Sequence, residues 1–251
     1  MKKLIISIVT LFFALNVGTA QSKLPADIEE KIEQAFIASF QDKDVLQSLI
    51  TEMENKYGQA NDEARYWLAY AYYQNTIVEM QVGKKKLAKN AIEKAISILE
   101  DDDNQDSEDL ALLCSAIGLS INFSAWKAPF LGMESESLAK KAIELDNKNM
   151  RAYLAIGRSS YYKPAMFGGG EEVEEMMLKA ISLPRTSQKS TVQPSWGKAE
   201  AYYLLSKFYQ QENRQEEAFA YSKKGLKEFP DNKRLQNLVT KLNENQTTAG
   251  R

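Results

Sequence analysis

The sequence of 251 residues contains no histidine and only one cysteine, Cys114. Without histidine, the chain cannot supply a Ser-His-Asp or Cys-His nucleophile or a histidine ligand for zinc, non-haem iron or haem. A single cysteine also excludes an internal disulfide framework and a thiolate metal cluster. These absences predict a protein that is not an enzyme and that carries neither a cofactor nor a metal.

The chain also has no excess of positive charge. It contains 32 basic and 34 acidic residues, which gives a net charge of −2. If the first twenty residues are removed, Lys2 and Lys3 are lost, and 30 basic residues face 34 acidic ones, a charge of −4. A surface of this charge is a poor match for a phosphate backbone, so we expect no nucleic-acid partner.

The only strongly apolar run lies at the start of the chain. It extends from Leu4 to Leu15 after a short basic start, and the small residues Gly18 and Ala20 follow it. This order predicts a signal peptide over residues 1–20, and the run is too short for an ordinary membrane span. The alternative is an uncleaved N-terminal anchor. We expect a periplasmic or secreted protein without a stable membrane span, and no cysteine near the cleavage site could carry a lipid.

The rest of the chain has the periodicity of helices. From Asp27 onward, apolar residues recur three and four positions apart, as in Ile28, Ile32 and Ala35, and the alternation typical of strands is absent. Proline and glycine fall mainly between these apolar stripes, as at Pro25 and Pro230. The pattern predicts an all-α fold of packed helical hairpins.

The clearest hairpin covers residues 199–232 and is thirty-four residues long. Its first half has a large, a leucine, a small and an aromatic residue, and its second half has two small residues and a final proline; these are Tyr202, Leu205, Ser206, Tyr209, Ala218, Gly225 and Pro230. Small residues let antiparallel helices approach closely, and proline ends the second helix. The segment resembles the tetratricopeptide repeat (TPR) family, and the chain is similar to exported bacterial TPR proteins.

Three earlier segments match the same pattern with insertions, which implies a right-handed α-solenoid. The expected organisation is a degenerate hairpin at 21–60, TPR-like repeats at 62–100, 107–149, 150–184 and 199–232, a capping helix at 233–243 and a disordered tail at 244–251.

The acidic run between the first two repeats lacks the glycine and terminal glutamate of a calcium loop. We therefore expect Asp106 or Ser107 to cap the next helix there.

Two connections depart from the tight turns of the family. The first is Pro164-Ala165-Met166-Phe167-Gly168-Gly169-Gly170, and the second is Pro194-Ser195-Trp196-Gly197-Lys198. Both are weakly similar to the periplasmic TPR subunit that accompanies tripartite ATP-independent transporters. The glycines allow two interpretations of the first connection: an anion-binding nest, or a tight connector with Phe167 docked in a gap.

The resemblance implies a partner-binding groove lined by the first helix of each hairpin. The matching positions include aromatic and basic residues suited to interfaces: Tyr66, Tyr70, Tyr73, Arg151, Arg158, Tyr161, Tyr203 and Lys207. Small residues at Ala111, Ser115 and Gly118 predict a deeper groove in the second repeat. We expect a protein-interaction scaffold that binds a protein or peptide in this groove. The alternative is a protein that binds a small solute or serves as an accessory to a transporter.

Overall fold

Helices make up almost all of the computed structural model, which describes residues 23–57, 62–101, 104–186 and 192–249. The predicted signal peptide at 1–20 lies outside the described residues. The eleven α-helices among those described are α1 Ile28–Ala38, α2 Asp44–Tyr57, α3 Asp62–Gln81, α4 Lys85–Glu100, α5 Ser107–Ser120, α6 Ala128–Leu145, α7 Met150–Tyr162, α8 Val173–Ser182, α9 Lys198–Gln211, α10 Gln215–Glu228 and α11 Lys233–Ala249. Short 3-10 turns cover Ile121–Phe123, Ala125–Lys127 and Ala165–Phe167. The described ranges contain no strand.

The helices pack as successive hairpins. The closest pairs are α3 with α4, α5 with α6, α7 with α8 and α9 with α10, and α1 packs on α2 before them. The first helices of neighbouring hairpins also touch, since α1 contacts α3, α5 contacts α3 and α7, and α7 contacts α9. These five helices form one continuous row on the inner side of a solenoid, and α11 packs against the last hairpin.

Small residues set the spacing between paired helices. A Cβ atom at Gly225 of α10 would lie 2.7 Å from the Cβ of Tyr202 on α9, so only glycine allows this approach. A Cβ atom at Gly157 of α7 would likewise meet Met177 of α8 at 3.0 Å. The core between the helices is built from fully buried aliphatic and aromatic side chains such as Trp67 and Leu205. This close packing holds the row of first helices in register.

The acidic run before α5 ends in a helix cap, as expected. The Asp106 carboxylate accepts hydrogen bonds from the backbone amides of Glu108 at 2.7 Å and Asp109 at 3.0 Å, and Asp109 bonds back to the Asp106 amide at 3.1 Å. This reciprocal arrangement is a capping box. Ser107 is not the cap, because its hydroxyl donates to the Ala142 carbonyl of α6 at 2.8 Å.

The C-terminal helix is longer than the sequence predicts. The expected capping helix ends at residue 243, whereas α11 continues to Ala249. We expected disorder because residues 244–249 lack an apolar anchor. However, no glycine or proline interrupts the segment before Gly250, so nothing ends the helix earlier.

None of the helices in the described part of the chain is both long enough and apolar enough to cross a bilayer.

Cys114 is buried on α5, and burial raises the pKa of its thiol to about 11. The thiol therefore stays protonated near neutral pH, as expected of a cysteine packed in the core.

The concave surface as the candidate binding site

The structure divides the eight predicted groove residues into two groups. Tyr66, Tyr70, Tyr73 and Arg151 are buried, although they lie on the inner row of helices as expected. Arg158, Tyr161, Tyr203 and Lys207 are only half-buried, and we call these four the open half of the concave surface. The difference arises because another segment of the chain covers Tyr66, Tyr70 and Arg151, whereas Tyr73 is bonded to Arg158.

The covering element is the end of the connection between α8 and α9. Residues 192–197, which we call the strap, form neither helix nor strand, with a turn at Val192 and a bend at Gly197. Val192, Pro194 and Trp196 are buried, whereas Gln193 and Ser195 between them are half-buried. This alternation means that successive side chains point to opposite sides, as in a β-strand.

Trp196 of the strap contacts two of the predicted groove tyrosines. Its indole stacks on the ring of Tyr70, with ring centroids 5.0 Å apart and an interplanar angle of 22°. The indole Nε1 donates a hydrogen bond to the Tyr66 hydroxyl at 3.0 Å. Burial raises the pKa of Tyr66 well above its ordinary value, with a smaller contribution from the Glu108 carboxylate, so this phenol stays neutral. Both tyrosines predicted to meet a partner thus bind a residue of the same chain.

The strap is also held through its backbone. The Trp67 indole Nε1 donates to the Val192 carbonyl at 3.2 Å. From the opposite side, the Glu29 carboxylate of α1 accepts bonds from the Ser195 amide at 2.7 Å and the Ser195 hydroxyl at 2.8 Å. The strap therefore connects the last hairpin to the first described helix and lies between α1 and α3.

Arg151 joins the strap to a buried ion pair. Its guanidinium makes two hydrogen bonds of 2.5 Å to the Glu108 carboxylate of α5. The remaining Nη1 group donates to the backbone carbonyls of Arg185 at 2.9 Å and Trp196 at 3.1 Å. A guanidinium that is buried with all these acceptors is a fixed structural element, and it holds the strap against α7.

Sequence reasoning placed the inner row correctly on the first helices but missed what fills it. It assigned no role to Glu29, Trp67 or Glu108, and it took Trp196 only as part of an unusual connection. The alternation of Val192, Pro194 and Trp196 is a readable sign of an extended, half-buried segment. Binding of a partner by the buried group stays a prediction, and at Tyr66, Tyr70 and Arg151 it requires that the strap leave.

A second arginine, Arg158 of the open half, links three helices of the inner row. The Arg158 Nη1 group donates to the Tyr73 hydroxyl at 2.7 Å, and Nη2 bonds to the Glu200 carboxylate at 2.9 Å, so α3, α7 and α9 are linked. A Cβ atom at Gly118 of α5 would lie 3.7 Å from the Ser135 hydroxyl of α6, so this position faces α6. The deeper groove in the second repeat stays a prediction.

The other residues of the open half keep exposed polar atoms. The Tyr161 hydroxyl accepts a bond from Gln211 at 3.0 Å, and Lys207 bonds to Gln210 at 2.8 Å. The Arg234 guanidinium lies over the ring of Tyr203, 4.2 Å from the ring centroid. Aromatic faces beside cationic groups form a surface suited to a protein partner.

Large apolar side chains protrude beside the open half. The connection between α7 and α8 begins beside α6, because Lys163 pairs with Glu136 of α6 at 3.9 Å. Six exposed side chains lie on α6, at the end of α7 and in the connections between α5 and α6 and between α7 and α8. They are between 63% and 82% accessible; we call them the apolar edge, and they are Trp126, Phe130, Met133, Tyr162, Met166 and Phe167. The expectation that Phe167 docks in a gap is wrong, because its loop closes through backbone bonds and leaves the ring outside.

Those backbone bonds also decide between the two interpretations of the glycine-rich loop. The Gly168 amide donates to the Ala165 carbonyl, the Gly169 amide to Pro164 and the Gly170 amide to Ser160. A Cβ atom at Gly169 would lie 1.8 Å from the Lys163 carbonyl oxygen, so the tight turn requires glycine there. Because the amides are already bonded, the loop is a connector and forms no anion nest.

The described residues contain no cluster of three or more acidic, histidine or cysteine side chains that could hold a metal ion. Their most perturbed carboxyl group is Asp109, whose pKa burial raises to about 6. Asp109 is already bonded in the helix cap, so its raised pKa reflects the burial of that cap.

Comparisons with known proteins show the fold. No protein-family model matches the chain, and no curated protein matches its sequence. The TPR protein TTC0263 of Thermus thermophilus is similar in structure, with a TM-score of 0.54, 15% identity and coverage of 86% of this chain and 98% of that one. The HusA haemophore of Porphyromonas gingivalis matches with a TM-score of 0.51, 21% identity and coverage of 78% and 96%. The predicted all-α solenoid of TPR-like hairpins is thereby confirmed.

Proposed function

We propose that this chain is an exported, non-enzymatic scaffold that binds a protein partner through its concave surface and the adjoining apolar edge. The observation that carries the proposal is the apolar edge, six large side chains exposed beside a row of aromatic and basic groups. Soluble proteins rarely leave such a patch uncovered unless it meets a partner. The solenoid presents it on rigid helical hairpins, so binding requires little ordering of the backbone.

The partner is expected to contact the open half and the apolar edge together. Tyr203 and Lys207 supply an aromatic face and a cationic group on α9, and Trp126 and Met166 supply apolar contacts on the neighbouring connections. Export is part of the proposal and rests on the basic start, the apolar run and the small residues of positions 1–20. N-terminal sequencing of the exported protein tests it, and we expect the mature chain to begin at Gln21.

Site-specific photo-crosslinking tests the binding surface. A photo-reactive residue is placed at Lys207 in the open half, and a matched control carries it at Glu93, an exposed position on the outer helix α4. We expect a discrete crosslinked partner from position 207 that is absent from position 93 and is lost when Trp126 and Met166 are changed to serine. The same products from both positions, or none from either, would contradict the proposal.

A second candidate function is binding of a flat, apolar small molecule, and the apolar edge again favours it. Trp126, Phe130 and Phe167 offer aromatic faces, and Met133 and Met166 offer thioethers. The haemophore that shares this fold suggests haem as the probe. Because the chain has no histidine, binding would rely on stacking and on tyrosine or methionine groups.

Titration with haem separates the two candidates. If the apolar edge binds haem, we expect a shift of the haem absorption band and a higher melting temperature, and both are lost in the variant with Trp126→Ser and Phe130→Ser. The variant Ile37→Ser is the matched control, since Ile37 is an exposed apolar residue on the distant helix α1. An unchanged haem spectrum would rule out this candidate and leave the scaffold proposal intact.

A further inference from the structure

The concave surface already holds an extended segment in the manner in which proteins hold peptides. Alternate residues of the strap face the inner row, and its backbone is bonded at Val192, Ser195 and Trp196. Recognition of an extended peptide typically combines such backbone bonds with pockets for every second side chain. The strap thus shows what chemistry this half of the groove accepts.

The pocket that holds Trp196 suits a flat aromatic ring that carries a hydrogen-bond donor. Tyr70 supplies the stacking face, and the Tyr66 hydroxyl accepts from the indole N–H. The Arg151 guanidinium lies 5.6 Å from the ring centroid of Trp196 and also binds the carbonyl of the same residue. The pocket therefore recognises a tryptophan by contacts with its ring, its indole N–H and its backbone carbonyl.

The positions before the tryptophan are selected as well. Glu29 accepts two bonds from Ser195, which favours a residue with a hydroxyl and a free amide there. Pro194 is buried, and its fixed φ favours the extended backbone that the groove requires. Val192 is buried two residues earlier, so apolar groups are accepted at alternate positions.

The helices beneath the strap are held by their own hairpins. The strap belongs to a connection, so it leaves the groove without breaking either helix, and α3 and α7 keep their partners α4 and α8. The strap is covalently attached to the groove that it occupies, so its effective concentration there is high. A free peptide of the same chemistry would have to compete with it.

We infer that this half of the groove binds, in trans, an extended peptide with tryptophan preceded two residues earlier by proline, and that the strap is its intramolecular competitor. The inference rests on the proposed function and extends it from the open half to the strap's site on the same surface. A partner that carries such a segment would gain contacts at both halves once the strap is displaced.

The test uses the full chain and a labelled peptide that copies residues 192–198. The host is the variant Trp196→Ala, in which the strap has lost its anchor; Trp196→Leu, which keeps an apolar side chain, serves if circular dichroism shows that the alanine variant is unfolded. Fluorescence anisotropy measures peptide binding. The controls are the parent protein and the peptide with Trp196→Ala.

We expect the host to bind the copied peptide at least about tenfold more tightly than the parent does, and about tenfold more tightly than it binds the alanine peptide. Equal binding by host and parent would show that the strap does not compete. Equal binding of the two peptides, or no binding by a folded host, would show that the site does not recognise tryptophan in trans. Either result overturns the inference, whereas the scaffold proposal is judged separately by crosslinking from position 207.

Discussion

The indole of Trp196 lies flat on the ring of Tyr70, with centroids 5.0 Å apart, although the two residues belong to opposite halves of the chain. Tyr70 stands on α3 in the first clear repeat, and Trp196 is the last buried residue before α9. Their contact places the connection between the α7–α8 and α9–α10 hairpins inside the concave surface. Together with the hydrogen bond from the Trp196 indole to the Tyr66 hydroxyl, it accounts for the burial of Tyr66 and Tyr70, two of the tyrosines that the repeat pattern assigns to a partner.

The stability of the protein should depend strongly on Trp196. Trp196→Ala removes a large buried side chain, the stack on Tyr70 and a hydrogen bond to Tyr66, so we expect the free energy of unfolding to fall by about 3–5 kcal/mol. Urea unfolding followed by circular dichroism measures the loss. The matched control is Trp126→Ala, because Trp126 is 77% exposed and its loss should change stability by less than about 0.5 kcal/mol. Equal effects of the two substitutions would contradict the observed burial.

The buried pair of Glu108 and Arg151 should behave as a coupled unit. Glu108→Met leaves a buried guanidinium without its carboxylate, and we expect a loss of about 3 kcal/mol or more. The double variant Glu108→Met/Arg151→Met should cost clearly less than the sum of the two single changes, because no unpaired charge remains. A double-mutant cycle from urea unfolding gives the coupling energy. Additive single effects would mean that the two side chains do not interact in solution.

The cap of α5 should make stability depend on pH. Burial, with a smaller contribution from Asp106, raises the pKa of Asp109 from its ordinary 3.8 to about 6. Between these values the folded protein holds more protons at this site than the unfolded chain, so the site's contribution to stability falls as the pH rises. Asp109→Asn removes this dependence and keeps an acceptor for the Asp106 amide.

We therefore expect the stability of Asp109→Asn, relative to the parent, to increase as the pH is raised from about 4 to about 7. Melting temperatures or urea midpoints of the two proteins across this range measure the trend. A constant stability difference would show that Asp109 titrates at its ordinary value, and a decreasing one would show that folding lowers its pKa. Either result would contradict the account.

The entry to α9 should tolerate no side chain at Gly197. Its φ is +103°, and a Cβ atom there would lie 2.8 Å from Leu154 Cδ2, so Gly197→Ala combines backbone strain with a clash. We expect a loss of about 1–3 kcal/mol. Gly132 in α6 is the control, because nothing lies within 4 Å of the site for its Cβ. There alanine should be neutral or stabilise the helix by up to about 1 kcal/mol. The reverse order of the two variants would contradict the geometry.

The sequence predicts the helices and their pairing well because both depend on local spacing. The apolar period of residues such as Ile28 and Ile32, and small residues such as Gly225, determine which faces pack and how closely. The inner row could be assigned for the same reason. The cap at Asp106 was also predictable, since capping depends on residues within one helical turn.

The occupation of the groove by the strap could not be predicted from local sequence spacing. The bonds from Ser195 to Glu29 and from Trp196 to Tyr66 join residues far apart in the chain, and no local period encodes such pairings. A proline and a glycine beside Trp196 indicate a loop, and loops are expected at the surface. The burial of alternate residues from Val192 to Trp196 and the stack of Trp196 on Tyr70 show that this loop is packed inside.

The exchange of indole protons tests the central claim, that the strap occupies the concave surface in solution, most directly. The chain has three tryptophans, whose indole N–H signals are observed individually by NMR in deuterated solvent. The account predicts slow exchange for Trp67 and Trp196, which are buried and donate to Val192 and Tyr66, and fast exchange for the exposed Trp126. Exchange of the Trp196 indole proton as fast as that of Trp126 would contradict it.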